Sequence, residues 1–241
     1  MTSYPDIYHI VSSDTVWYHA IPCSIHVKRK SQSSENTLKL IHPERIAQLP
    51  PRERIIDAAH ALFVEQGITR VTVDAIAALA GSTKMTLYRH FETKDVLVLE
   101  WLRLLTAQYS RVLDDLATQW PGQPIQQLLG FSQFIAQDLA RAGYRGCSFT
   151  NCLAELADPQ HPARQLIEAH KQRQYQRLVA LCQEAKLPDA QAIACELTFL
   201  LEGAQVVAQN KGVSNVAEHL LQMVEKRLGI GAPDSQSYSA S

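Results

Sequence analysis

No apolar run in the sequence reaches the roughly 20 residues that a membrane-crossing helix needs. The chain start has no charged segment followed by an apolar one, so it does not read as a secretory signal. The five cysteines, Cys23, Cys147, Cys152, Cys182 and Cys195, include no C-x-x-C pair and are odd in number. Neither a zinc framework nor a full disulfide set is suggested, and reduced thiols in a cytosol fit best. Neither His161 nor His170 is spaced with a second His or a Cys as a metal site requires. Hairpin dipeptides, strand pairs and internal repeats are absent. So are a nucleophile–base pair and a phosphate loop, which leaves an enzyme without support and implies no cofactor. No charge of one sign dominates, and a net charge of -1 argues against nonspecific coating of polyanions. It leaves open a local basic face, because position rather than total charge decides that. The chain reads as soluble and cytoplasmic, with no membrane partner.

What is present is a helical pattern almost from end to end. Hydrophobic residues make up 46% and charged residues 20%, enough apolar surface for a globular core. Residues 1–50 differ from the rest. They mix Tyr, His, Ser and Pro without a sustained period and read as a disordered extension or as sequence upstream of the true start. The alternative is an arm that touches DNA through Lys28, Arg29 and Lys30. From Arg52 the apolar residues Ile55, Ile56, Ala59, Leu62 and Phe63 recur at helical spacing until Gly67. Short helices follow near Val73–Ala80 and Thr83–Phe91, separated by Gly81, and longer ones over Lys94–Gln119 and Ile125–Ala142. Thr150–Ala157 is short, Pro162 opens a helix to about Lys186, Asp189 caps one reaching Asn210, and Asn215–Leu228 is the last. The Ser-rich tail after Gly231 reads as disordered. The fold class is all-α.

Thr72 to Phe91 is where a helix–turn–helix can be read. The first helix needs a small residue so that the second can cross closely, and Ala77 supplies it. The turn needs a residue tolerant of left-handed backbone, and Gly81 stands there. Ile76, Leu79, Leu87 and Phe91 are expected to pin both helices to the one beginning at Arg52. A helix entering a groove lined by phosphates cannot carry carboxylates cheaply, and from Ala75 through Phe91 there is neither Asp nor Glu. The same window holds Thr83, Lys84, Thr86, Tyr88, Arg89 and His90, all able to donate to phosphates or base edges. Ser82 or Thr83 can cap the second helix. On spacing alone, a surface helix pair inside a bundle is the competing reading.

Residues 52–98 resemble the N-terminal domain of the TetR (tetracycline repressor) family. The resemblance is carried by Ile55-Ile56-Asp57-Ala58-Ala59 with Leu62-Phe63 and Gly67, by Thr72-Val73-Asp74-Ala75-Ile76-Ala77, and by Leu87-Tyr88-Arg89-His90-Phe91 with Lys94 and Leu97. It implies a three-helix DNA-binding head and a six-helix regulatory body. It also implies that Thr83, Lys84, Thr86 and Tyr88 read bases or phosphates and that Lys94 grips a phosphate. The candidate DNA-contacting set is Thr72, Thr83, Lys84, Thr86, Leu87, Tyr88, Arg89, His90 and Lys94. The expected domains are 51–95 for the head, 96–229 for ligand binding and dimerisation, and a tail over 230–241. The long N-terminal extension departs from the family, whose members begin shortly before their first helix.

In the body, Ile193, Ala194, Leu197, Leu200, Leu201, Ala204, Val207 and Ala208 form a stripe wider than one neighbour requires. With the last helix it suggests a four-helix interface between two copies, for which Leu197, Leu201, Ala204, Ala208, Val216, Leu220, Met223 and Val224 are candidates. The alternative is that these residues fill the core of one chain. A dimer suits a palindromic operator in double-stranded DNA. Family members hold a small ligand in the body, and the candidate lining here is Trp101, Leu105, Tyr109, Phe131, Phe134, Phe149, Cys152, Tyr175 and Glu202. Each of these has a competing reading as plain core, and Glu202 as an exposed or paired carboxylate. Cys147 and Cys152 are either inert buried thiols or a redox pair. The segment from Tyr144 to Leu156, with Asp158-Pro159 and His161-Pro162, resembles one found in a broad TetR subgroup and names no ligand. The expectation is a ligand-released repressor. A helical carrier or enzyme, or a regulator whose body makes only protein contacts, are the other classes, and an internal cavity separates the last from the first.

Overall fold

The structure, a computed structural model, describes residues 49–139 and 143–230. The candidate arm at Lys28, Arg29 and Lys30, residues 140–142, Cys23 and the tail from 231 lie outside the described residues. Among those described there are nine helices and no strand. They are α1 (Pro51–Gln66), α2 (Val73–Leu79), α3 (Lys84–His90), α4 (Lys94–Gln119), α5 (Pro124–Leu139), α6 (Ser148–Glu155), α7 (Pro162–Glu184), α8 (Ala190–Asn210) and α9 (Val216–Arg227). They fall into two compact units divided within α4, the first ending at Leu104 and the second beginning at Leu105.

The first unit is built on α1. Pro51 opens it at a position where no amide partner is lost, and the Gly67 amide closes it by donating to the Phe63 carbonyl at 2.9 Å. Ile55, Ile56, Ala58, Ala59 and Phe63 on α1 are buried against Ile76, Ala77 and Ala80, Leu87 and Phe91, and Leu97 and Trp101. Leu79, expected to help pin α2, is instead 41% exposed, and Ala80 takes the inner place. At about 100° per residue, Ile76, Ala77 and Ala80 define one arc and Leu79 points away from its centre. α1 and α4 are tied by Arg52, whose guanidinium lies 2.5 Å from Glu100 and over the Phe91 ring, and by Trp101, whose indole donates to His60 Nδ1 at 2.9 Å.

One carboxylate sits inside this unit. Asp57 is 6% exposed, and burial, followed by Glu53 one turn earlier, pushes its carboxyl up to about 7. Because the folded value lies above the unfolded 3.8, the folded chain holds a proton that the unfolded chain releases between about pH 4 and 7. The unit therefore loses stability as pH rises through that window and does not regain it above. Asp57→Asn should raise the unfolding free energy at pH 8 by on the order of 1–3 kcal/mol, read from the melting curves, and do little at pH 4. Equal shifts at both pH values would refute this account.

The second unit packs α5, α7, α8 and α9 around Phe131, Ile135, Leu178, Leu181, Ile193, Leu197, Leu201, Leu220 and Val224. Asp189 caps α8, its carboxylate accepting from the Ala192 amide at 3.2 Å. Gly130 lets α5 approach α4 closely: a Cβ there would stand 2.4 Å from Leu116 Cδ2. α8 is long, with a mean hydropathy of 1.2, yet Glu196 and Glu202 interrupt it, so it is not the continuous apolar run that the sequence was found to lack. Ile193, Leu197 and Leu201 on its inner face belong to the core, and Glu202 on the same helix is ion-paired.

Candidate nucleic-acid interface

α2 and α3 are joined by a turn whose hydrogen bonds are set by one backbone position. Gly81 takes φ +55°, a region that L-residues enter at a cost. In that shape its amide donates to Ala78 O at 3.1 Å and the Ser82 amide to Ala77 O at 2.9 Å, the pairing of a Schellman closure. Arg54 on α1 donates to the Gly81 carbonyl at 3.3 Å and holds the turn from below. Each helix then starts on a threonine. Thr72 Oγ1 accepts from the Ala75 amide at 3.2 Å, and Thr83 Oγ1 from the Thr86 amide at 3.1 Å. Thr83, rather than Ser82, is the cap of α3.

The short α3 divides cleanly by face. Leu87 is completely buried and Phe91 nearly so. Leu87 was expected among the DNA contacts; its side chain instead fills the three-helix core and is not available to a groove. Thr72, Thr83, Lys84, Tyr88, Arg89 and His90 are exposed, and Thr86 is partly so. Met85, at 77% the most exposed large apolar residue of the unit, shares their face one turn before Tyr88 and Arg89. Its signal was this spacing, which a search for polar donors passed over. Lys84 pairs with Asp74 at 2.8 Å; hydrogen bonding to that carboxylate raises the ammonium's pKa. Both groups are open to solvent, so the pair is weak and exchangeable. Lys94, at the start of α4, donates to the Thr69 carbonyl at 3.3 Å. The face thus presents hydroxyls and cations, with Asp74 at its edge.

Of the residues expected to line a ligand site, the structure brings some together and separates others. Trp101 belongs to the core of the first unit, 5.1 Å from Phe63 by ring centroid. Leu105 is buried, and Phe131 lies in the core of the second unit. Tyr109, Phe134 and Phe149 do cluster: Tyr109 meets the other two edge-on at 5.2 and 5.4 Å. Tyr175 donates to Gln191 O at 3.5 Å at the surface. Glu202 is paired with Lys171 at 2.5 Å, and Lys171 also reaches Cys147 Sγ at 3.7 Å. Cys152 is buried, its thiol pushed up to about 12 by burial and then by Glu155, as suits an inert residue.

A cavity of about 140 Å³ opens between α4 and α7, and of the expected residues only Tyr109 lines it. Sequence reading missed His170, Arg173, Gln174 and Arg177, because polar residues on a helix read as solvent-facing. His170 is 3% exposed, lies 4.5 Å from the Phe149 ring, and is held down to about 4 by burial and then by Lys171 and Arg173. Among the described residues no group of three or more His, Cys, Asp or Glu is placed to hold a metal ion.

The dimer candidates also divide. Leu197, Leu201, Leu220 and Val224 are buried within one chain and cannot meet a second copy. Ala204, Ala208 and Val216 are partly buried, and Met223 is 54% exposed. The outward residues of α8 are Phe199, at 72%, and Val206, at 50%, one and two turns along a single face with Gly203 between them.

The sequence profile of the family described as bacterial regulatory proteins, tetR family, matches residues 55–101. The HTH-type transcriptional regulator YjdC of Escherichia coli (strain K12) is 26% identical over 152 residues, spanning 63% of this chain and 80% of that one. SrpR of Pseudomonas putida, also an HTH-type transcriptional regulator, is 51% identical over 43 residues, 18% of this chain and 20% of its own. Among solved structures, the TetR-family transcriptional regulator SCO4454 of Streptomyces coelicolor superposes with a TM-score of 0.69 at 30% identity, covering 74% of this chain and 94% of that one. These relatives are regulators and not enzymes, and the likeness to SCO4454, over 74% of this chain, reaches beyond the helix–turn–helix into the helical body. The chain belongs to the TetR family of DNA-binding transcriptional regulators.

Proposed function

We propose that the chain acts as a homodimeric repressor, holding a palindromic operator until a small molecule bound in its second unit releases it. The observation that carries this reading is the exposed, carboxylate-free face of α3, set against a fully buried Leu87. In this reading residues 51–95 are the DNA-binding head and 96–229 the ligand-binding and dimerising body. Thr72, Thr83, Lys84, Thr86, Tyr88, Arg89, His90 and Lys94 meet the operator, and Met85 joins them against a thymine methyl. Lys84 exchanges Asp74 for a phosphate. Two heads about one helical turn apart, roughly 34–36 Å, match a two-fold symmetric site. Release is a population shift: the ligand favours a head spacing that the operator does not.

The dimer reading is supported by Phe199, Val206 and Met223, large apolar side chains that a lone chain leaves in water. Phe199→Glu should turn the dimer into monomers in sedimentation equilibrium and weaken operator binding with it, because two carboxylates would face each other across the two-fold axis. An unchanged dimer would remove Phe199 from the interface. The test of the whole reading is binding to DNA from upstream of the coding sequence across a salt series. Selective binding whose logarithm falls linearly with the logarithm of salt is expected, with a slope near -0.9 for each phosphate neutralised. Equal, weak binding to every sequence would overturn the repressor.

A further inference from the structure

An amine, a thiol and a carboxylate meet in the second unit, each from a different helix. The Lys171 ammonium on α7 lies 2.5 Å from Glu202 Oε1 on α8 and 3.7 Å from Cys147 Sγ at the N-cap of α6. It also stands 5.4 Å from the centroid of the buried Phe149 ring. Together these contacts fix the tip of a side chain that is otherwise free to sample many rotamers. The sulfur is fixed as well, through the backbone that carries it. Asn151 donates to the Arg145 carbonyl at 2.7 Å, and Tyr144 donates to Gln205 Oε1 on α8 at 3.4 Å. Gly146 lies so close to α8 that a Cβ there would stand 2.4 Å from Gln209 Oε1. The approach of nitrogen to sulfur is therefore set by how α6, α7 and α8 pack.

Such a pair has a chemistry that neither group has alone. A two-electron oxidant of the peroxide class converts a thiol to a sulfenic acid and is itself reduced to water. The sulfenic sulfur is an electrophile, and a nitrogen beside it can close on it to a sulfenamide. Here Lys171 passes one proton to Glu202, its lone pair attacks Cys147 Sγ, and the S–O bond breaks. The departing hydroxide takes a second proton from the same nitrogen and leaves as water. The product is Cys147–S–NH–Lys171, with the two electrons lost by the thiol and amine taken up by the peroxide. Cys147 keeps 7% of its surface, between the exposed Arg145 and the partly exposed Ser148, and the Lys171 and Glu202 side chains beside it are 25% and 31% exposed. That opening suits a small oxidant. Cys152 is the poorer candidate, because burial and then Glu155 push its thiol up to about 12 and keep it protonated.

We propose that Cys147 and Lys171 form a redox-controlled cross-linking site, joined by a sulfur–nitrogen bond when a peroxide oxidises the thiol and parted again when a dithiol is oxidised in its place. The bond ties the start of α6 to α7 and deprives Glu202 of its counter-ion. This goes beyond the repressor reading and does not depend on it.

Peptide mapping of the full chain by mass spectrometry, after hydrogen peroxide and again after dithiothreitol, tests it. In the wild type the peptides carrying Cys147 and Lys171 should be recovered joined, lighter than their sum by a pair of hydrogens, and should separate after dithiothreitol. Lys171→Arg keeps a cation against Glu202 but offers no amine. It should lose the cross-link entirely and leave Cys147 as a sulfenic acid that dimedone traps in higher yield than in the wild type. Cys152→Ser should leave the Cys147–Lys171 bond unchanged. A Cys147 that stays a free thiol in the folded chain, a Cys147–Cys152 disulfide in place of the cross-link, or sulfinic acid formed equally in the wild type and Lys171→Arg would overturn the proposal. The joined peptides are read in the wild type itself, so a variant that failed to fold would not remove the test.

Discussion

Replacing Tyr88 by alanine lowers operator affinity by about 10²- to 10⁴-fold and leaves the thermal midpoint almost unchanged. Tyr88 stands 47% exposed on the outer face of α3, while its neighbour Leu87 turns inward. Losing it removes little from the core. Its hydroxyl can donate to a phosphate, and a hydrogen bond to a charged acceptor contributes about 1.5–3 kcal/mol. Two heads on one operator double that to about 3–6 kcal/mol, which sets the range given. Fluorescence anisotropy with a labelled operator duplex measures it. Tyr88→Phe divides the loss between ring and hydroxyl. Wild-type affinity in the alanine variant would place the contact surface elsewhere on the head.

Leu87→Ala also abolishes operator binding, but by a different route. The side chain is wholly buried, and truncating a leucine in such a position costs about 2–5 kcal/mol. The first unit holds its core with a handful of side chains from four short stretches, and at about 0.05–0.15 kcal/mol per residue its whole stability is of the same order. The variant should lose the head cooperatively while helices of the second unit persist, seen as a fall in far-UV ellipticity at a temperature where the wild type is folded. Met85→Ala, at a site 77% exposed, should stay within about 0.5 kcal/mol of wild type. Tyr88→Ala and Leu87→Ala thus give the same binding defect with opposite melting behaviour. An unchanged melt for Leu87→Ala would mean that the head relaxes around the missing side chain.

The boundaries of the helices were legible because particular residues enforce them. Pro51 and Pro162 open helices, Gly67 and Gly81 close them, and Asp189 caps α8 through its own side chain. The outer face of α3 was legible for a similar reason, since the absence of carboxylates from Ala75 to Phe91 is a one-dimensional fact. Leu79 and Ala80 show where this stops. Both are apolar, and only the direction in which α2 meets α1 decides which is buried. The same holds for α8. Periodicity marks an apolar stripe, but it cannot say that Leu197 and Leu201 face the chain's own core while Phe199 and Val206 face outward. The α4–α7 cavity was hidden for a third reason. Its polar residues, His170, Arg173, Gln174 and Arg177, repeat as a solvated face does, and only the structure shows that two of them are shut in.

Leu116 and Gly130 share one small volume, and that couples the fates of the two codons. A methyl at 130 would stand 2.4 Å from the leucine tip, while a shorter side chain at 116 would leave a void that a methyl at 130 could fill. Among descendants of this sequence neither position is free to drift alone. A change at one alters what the other can hold: a methyl at 130 takes up only part of the room that a shortened side chain at 116 leaves, though alanine is favoured over glycine inside a helix by about 1 kcal/mol.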